Sequence, residues 1–316
     1  MRKTLIAEKL KLGVIGLGCM SMSHGYSPAE RDDEESIEVV HRALELGITL
    51  FDTADIYGPY TNEELLGRGL AGRREQALIA TKCGLVPLPG GKLTRNGRPE
   101  FIREACERSL ARLGTDVIDL YQLHRVDPEV PLEETWGAMG DLVAEGKVRA
   151  LGISHATVSE LDRIHAVFPV TAVQYELSVW ARGTRDDVLP WCRANEAAFL
   201  AFSPLGRGYL SGVLDGATFG VDDSRSRDPR FTSEAMSANR AIVRGLHDVA
   251  ERIGATPAQV AVAWVLAQDE KVVPIPGTKK VRWLEENAAA AELELSERDL
   301  KEIEALPDPM GDMKWT

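Results

Sequence analysis

Asp52, Lys82, His124, Ser154, Gln174, Ser203 and Thr278 each stand at the carboxyl end of an apolar run, and several are of the types that move protons. Tyr57 follows Asp52 by five residues on the same expected loop. An acid, an ammonium, an imidazole and a phenol gathered round one pocket can protonate a carbonyl oxygen. A free phenol has a pKa of about 10 and is a reluctant donor or acceptor at neutral pH. A lysine ammonium about 4 Å away favours the phenolate by up to roughly 4 kcal/mol at an effective dielectric of about 20, which would bring Tyr57 into the working range. Asp52 would keep Lys82 protonated and aimed, because an unpaired buried ammonium is costly. His124 would donate a hydrogen bond to the substrate oxygen and orient it. Two other readings of the lysine exist, a structural ion pair with Asp52 and a Schiff-base nucleophile. The adjacent phenol and imidazole favour proton transfer over both.

For these residues to meet, the segments carrying them must converge. Eight short apolar runs, GVIGLG, ITLFDTA, ALIATK, VIDLYQLH, VRALGIS, VTAVQYE, AFLAFSP and VVPIPGT, alternate with longer amphipathic stretches. Apolar runs without alternation suit parallel strands covered on both faces. Thr256-Pro257 with Gln259, and Ser296 with Asp299, are helix starts, while Gly47 and Gly114 follow helix ends. Eight β/α units in one chain of 316 residues predict a single-domain α/β fold over 1–316, a (β/α)8 TIM barrel, with the active site where strands end and loops begin. Residues 205–235, the longest irregular stretch, are a candidate cofactor-covering loop.

Composition narrows the partners. With 49 acidic and 37 basic residues the formal charge is −12, which argues against nucleic acid or an anionic membrane, and 6% aromatic residues argues against a base-stacking platform. Cys19, Cys83, Cys106 and Cys192 are scattered, without the CxxC spacing of a zinc knuckle or redox dithiol, and His24, His41, His165 and His247 show no ligand spacing, so no metal is expected. Charges interrupt every apolar run near the amino terminus and no run reaches about 20 apolar residues, so a reducing, cytoplasmic setting is expected.

The stretches LFDTADIYGPYTNEELLGRGL, IATKCG and DVIDLYQLHRVDP, followed in order by GISHAT, SPLGRG and IPGTKKVRWLEEN, resemble the aldo-keto reductase superfamily over almost the whole chain. The likeness is strongest to the bacterial and plant branch with a His-Arg-(Ile/Val)-Asp signature after the fourth strand. It implies a catalytic tetrad of Asp52, Tyr57, Lys82 and His124, with Tyr57 as general acid, and NADPH lying extended across the barrel mouth. It further implies that Ser154 and Gln174 hold the nicotinamide carboxamide, with His155 where an Asn is commoner. Phe202 stands where an aromatic stacks on the nicotinamide. Ser203, Leu205, Gly206 and Gly208 of SPLGRG match the segment around the pyrophosphate, where missing side chains admit backbone N–H groups. Gly277, Thr278, Lys279, Lys280 and Arg282 gather cations at a helix start suited to a 2′-phosphate, which any of the three can meet. Glu286 and Asn287 resemble the adenine-contacting pair.

A dinucleotide fold of another kind is not indicated: in Gly16-Leu-Gly18 the third glycine position is Ser21. Tyr26 and Trp180 are candidates for the substrate pocket or for plain packing. The expected function is NADPH-dependent reduction of a small-molecule aldehyde or ketone. The alternatives are a low-turnover NADP(H)-binding, redox-sensing regulatory subunit and a lysine aldolase.

Overall fold

A computed structural model describes residues 3–6, 10–89 and 92–311. Its centre is a sheet of eight parallel strands: β1 (Leu17–Gly18), β2 (Leu50–Asp52), β3 (Leu78–Cys83), β4 (Ile118–Leu123), β5 (Val148–Ser154), β6 (Ala172–Glu176), β7 (Ala198–Phe202) and β8 (Val272–Pro274). Each pairs with the next in chain order. The two edges also meet. Gly16 N–H donates to Pro274 O at 2.9 Å, Gly18 N–H donates to Pro276 O at 3.2 Å, and Gly18 bridges Gly277 in parallel. The sheet therefore curls until first and last strands touch. A Cβ on Gly18 would lie 2.8 Å from Ile275 O, so this close approach requires glycine.

The connections are helical: α1 (Asp33–Glu45), α2 (Thr61–Leu70), α3 (Pro99–Leu113), α4 (Leu132–Ala144), α5 (Val158–Val167), α6 (Val188–Ala194), α7 (Ser233–Ile253) and α8 (Pro257–Leu266) precede β8, and α9 (Val281–Ala289) and α10 (Glu297–Glu304) follow it. Asp32 caps α1 by accepting from Glu35 N–H, and capping boxes open α5, α8 and α10 at Thr157, Thr256 and Ser296. None of the helices among the described residues is long and apolar enough to cross a membrane.

Strand residues alternate between two apolar clusters, which a uniformly apolar sequence does not reveal. Leu50, Ala80, Leu120, Ala150, Ala172, Ala198 and Leu200 fill the inside of the curl. Phe51, Ile79, Tyr121, Leu151, Val173 and Phe199 face outward into the layer under the helices. Successive side chains on a strand point to opposite faces. Two residues beyond Leu50, Ala80 and Ala172, and four beyond Leu120 and Ala150, that alternation brings Asp52, Lys82, Gln174, His124 and Ser154 onto the inner face at the carboxyl end.

Three expectations change in detail. Of the run GVIGLG only Leu17–Gly18 joins the sheet; Gly13 instead ends an antiparallel hairpin of Lys3–Ile6 with Leu10–Gly13, so that part of the run pairs locally. Strand interiors are not purely apolar, since Asp119 and Gln122 are buried on β4. The stretch 205–235 contains three short helical turns, Gly206–Ser211, Ser224–Arg227 and Pro229–Phe231, and its last residues already begin α7, which Thr232 caps.

Candidate active site

Lys82 is wholly buried, and its Nζ donates to Asp52 Oδ1 at 2.6 Å and to Thr53 O at 2.7 Å. Burial alone would strip the ammonium of its proton, but Asp52 and Tyr57 outweigh it and hold Lys82 above the usual lysine range. A Schiff-base lysine needs the neutral amine, so this environment disfavours the aldolase chemistry. The same ammonium stands 5.3 Å from the centre of the Tyr57 ring. Here the structure corrects the expected electrostatics. Burial pushes the Tyr57 phenol up, Lys82 pulls it down and Asp52 raises it again, and the net position is above the ordinary value of 10. Without a cofactor Tyr57 is thus a firmly protonated donor rather than a phenol brought toward neutrality.

His124 packs edge-on to Tyr57 with ring centroids 6.0 Å apart. Burial first, then Lys82 and Arg125, hold it far below the usual histidine range, so the imidazole is neutral and keeps one N–H to donate. Its Nδ1 is buried without a hydrogen-bond partner among the described residues. The expected proton-transfer groups therefore lie together at one rim.

Asp52 has further partners. Gln174 Nε2 donates to Asp52 Oδ2 at 2.7 Å, and Gln122 Nε2 donates to the same oxygen at 3.2 Å. These amides hold the carboxylate on the side away from Lys82. Gln122 escapes a reading of strand ends because it lies one residue inside the end of β4, and its signal is a polar residue, like Asp119, within an otherwise apolar run.

A cavity of about 690 Å³ opens above these groups. Its walls include Asp52, Tyr57, His124, Ser154, Gln174, Phe202, Ser203, Leu205, Gly208, Gly277, Thr278, Lys279, Lys280, Arg282 and Tyr26. Lys82, which lies behind Tyr57, and His155, Gly206, Glu286, Asn287 and Trp180 are not among them. His155 adopts φ 57° and packs on Tyr175 and Phe202. Trp180 stacks on Tyr209 at 5.1 Å behind the 205–235 segment, which makes it packing rather than pocket wall. Gly206, at φ +53°, lies against Trp180, where a Cβ would come within 2.5 Å of Cε2. Asn287 is buried on α9.

The cationic end is engaged by acids. Lys279 Nζ donates to Glu30 Oε2 at 2.9 Å, and Lys280 pairs with Glu35 in the first turn of α1. Arg282 stacks on Trp283 at 4.2 Å. Across the mouth, Ser224 N–H donates to Gly25 O at 2.9 Å, joining the 205–235 segment to the loop after β1. Arg225, clamped by Asp223 at 2.6 Å, lies 4.9 Å from the Tyr26 ring.

Among the cavity residues that sequence reasoning misses are His24, Arg125, Arg225 and Glu30. His24 stacks on Tyr57 with centroids 5.6 Å apart, and its Nδ1 accepts from Gly58 N–H at 3.4 Å. No spacing rule finds it, because it reaches Tyr57 from a different loop. Arg125 carries a legible signal, being adjacent to His124.

The aldo/keto reductase family model matches residues 14–308. Over 308 residues, 97% of this chain and 88% of the relative, the sequence is 42% identical to a probable aldo-keto reductase 1 of Glycine max. The fold is similar to the glycerol dehydrogenase AKR11B4 of Gluconobacter oxydans, with TM-score 0.88, 32% identity, and coverage of 95% of this chain and 93% of that one. It is also similar to an aldo/keto reductase of Klebsiella pneumoniae solved with NADP and acetate, with TM-score 0.75, 28% identity, and coverage of 98% and 97%.

Proposed function

The chain belongs to the aldo/keto reductase family, and from that premise we propose that it reduces an aldehyde or ketone to the alcohol, with NADPH as hydride source and Tyr57 as proton donor. The eight strands are then one closed (β/α)8 barrel with its seam at Gly18 and Gly277, and residues 205–235 cover the bound dinucleotide.

The residues suit that cofactor. Gly208, at φ 93°, lines the cavity without a side chain, and Lys279, Lys280 and Arg282 surround the start of α9. When bound, NADPH would supply the hydride, and Phe202 would be the aromatic face available to its nicotinamide. Everything else falls to side chains of this chain. His124 donates a hydrogen bond to the carbonyl oxygen and fixes its position. Tyr57, held above its ordinary pKa, keeps its proton until that oxygen gains charge, then releases it as the alcohol forms. Lys82 beneath the ring favours the phenolate left behind, and Asp52 keeps Lys82 charged.

The observation that carries this reading is the buried Lys82–Asp52 pair beneath Tyr57, with a neutral His124 beside it. The test is NADPH consumption by purified protein with a panel of aldehydes, alongside Tyr57→Phe. We expect Tyr57→Phe to bind NADPH nearly as the parent does and to lose a factor of about 100 to 10,000 in turnover. Equal turnover in that variant would remove Tyr57 from its role.

A further inference from the structure

Arg125 leaves the end of β4 directly after His124, yet the reaction as described gives it no task. Its Nη1 donates to His124 O at 2.6 Å and to Ser154 Oγ at 3.3 Å, both neutral acceptors. Three other arginines near the mouth are neutralised: Arg225 by Asp223, Arg207 by Asp228, and Arg230 by Glu176 and Asp228. Among the described residues, Arg125 and Arg282 line the cavity without a carboxylate partner. Arg282 lies at the far, nucleotide end on Trp283, whereas Arg125 lies at the tetrad end, where its charge acts on Tyr57. Burial, with Arg95 adding to it, presses the Arg125 guanidinium down to about 10. Arg125 is partly buried, and a cation partly withdrawn from water without an anion is costly to keep, a cost that a ligand carrying the anion relieves.

The guanidinium edge formed by Nε and Nη2 makes no hydrogen bond within the described protein, and such an edge matches a carboxylate in bidentate geometry. The same cavity offers an apolar wall from Ile56, Leu85 and Leu93. Cation, apolar wall and proton donor line one cavity.

We propose that Arg125 binds a carboxylate carried by the carbonyl substrate, so that the enzyme prefers aldehydes or ketones bearing an acid group. This deepens the carbonyl-reductase reading and rests on it. In the reaction hydride adds to the carbonyl carbon, the C=O π bond breaks, the Tyr57 proton passes to oxygen, and the carboxylate is unchanged.

The experiment compares kcat/KM for 4-carboxybenzaldehyde and benzaldehyde in the parent, Arg125→Gln and Arg125→Lys. Calorimetry then measures 4-carboxybenzyl alcohol binding to each protein saturated with NADP+. We expect the parent to favour the acid by about tenfold or more, the ratio to collapse in Arg125→Gln, and Arg125→Lys to recover part of it. The alcohol should bind the parent and bind Arg125→Gln at least about tenfold more weakly. An unchanged substrate ratio in Arg125→Gln, or equal alcohol affinities, overturns the proposal. Failure of the parent to reduce either aldehyde overturns the reductase reading instead, and the calorimetric arm still decides whether Arg125 holds a carboxylate.

Discussion

Lys279 and Glu30 meet at 2.9 Å across the mouth of the cavity, one just beyond the last strand and the other on the loop before α1. On the proposed reading, Glu30 occupies a cation that could otherwise meet a 2′-phosphate, and Glu35 does the same at Lys280. If a phosphate binds there, acidic side chains facing it work against the ligand unless they turn away.

Glu30→Gln should accordingly tighten NADPH binding and leave NADH nearly unchanged. Glu30 is exposed, so the competing pair contributes no more than about 1 kcal/mol, or roughly fivefold in affinity. Fluorescence titration of both nucleotides measures it, and the gain should shrink at high salt. Equal gains for NADPH and NADH would show that Lys279 does not meet the 2′-phosphate.

Lys82 and Asp52 form a buried pair, so removing one partner strands the other. Lys82→Met should cost about 3 to 5 kcal/mol of stability in urea denaturation, because the Asp52 carboxylate keeps only Gln122 and Gln174 as donors. The double variant Asp52→Asn/Lys82→Met should recover much of that loss while staying inactive. Additive losses in the double variant would mean that the two groups are not coupled.

For Tyr57 as general acid, the protonated phenol is the active form in reduction. Its position above 10 places loss of activity on the alkaline side, so turnover should stay level through neutral pH and fall only as pH rises through the raised value. Arg125 pulls the phenol down in the same sense as Lys82, so Arg125→Gln should move that alkaline limb to higher pH. A pH–rate profile for each protein reads the shift, and a limb moving downward would contradict it.

Asp55, two residues before Tyr57, is buried with Oδ1 unpartnered among the described residues, and burial together with Glu63 raises its carboxyl to about 7. An acid raised in the folded state binds a proton that the unfolded chain has already lost, so its contribution is present at acid pH and disappears as pH rises through about 7. Relative to Asp55→Asn, the parent should lose up to about 4 kcal/mol of stability between roughly pH 4 and pH 8. Denaturation midpoints across that window test it, and parallel curves for the two proteins would refute the buried-carboxyl account.

Polar residues at the ends of apolar runs single out Asp52, Lys82, His124, Ser154 and Gln174 from the amino-acid order alone, because strand cores leave little room for unpaired polar groups. Helix starts at Thr256 and Ser296 are equally legible, since capping is a local hydrogen-bond pattern. His24 and Glu30 are not, because their partners Tyr57 and Lys279 lie on different connections and no local pattern encodes that distance. The direction of the Tyr57 shift is hidden for a related reason. Charge types are read from sequence, but the desolvation that outweighs Lys82 depends on how much protein closes over the ring.

By itself the sequence determined which chemical groups this protein owns, the order in which strands and helices deliver them, and the family motifs that hold them. Tertiary structure decided which groups share a cavity, which cations arrive already neutralised and which, like Arg125, do not. The physical reason is that side-chain alternation and capping act over a few residues, whereas burial and charge pairing are set by contacts between segments that meet when the sheet curls and its edges touch.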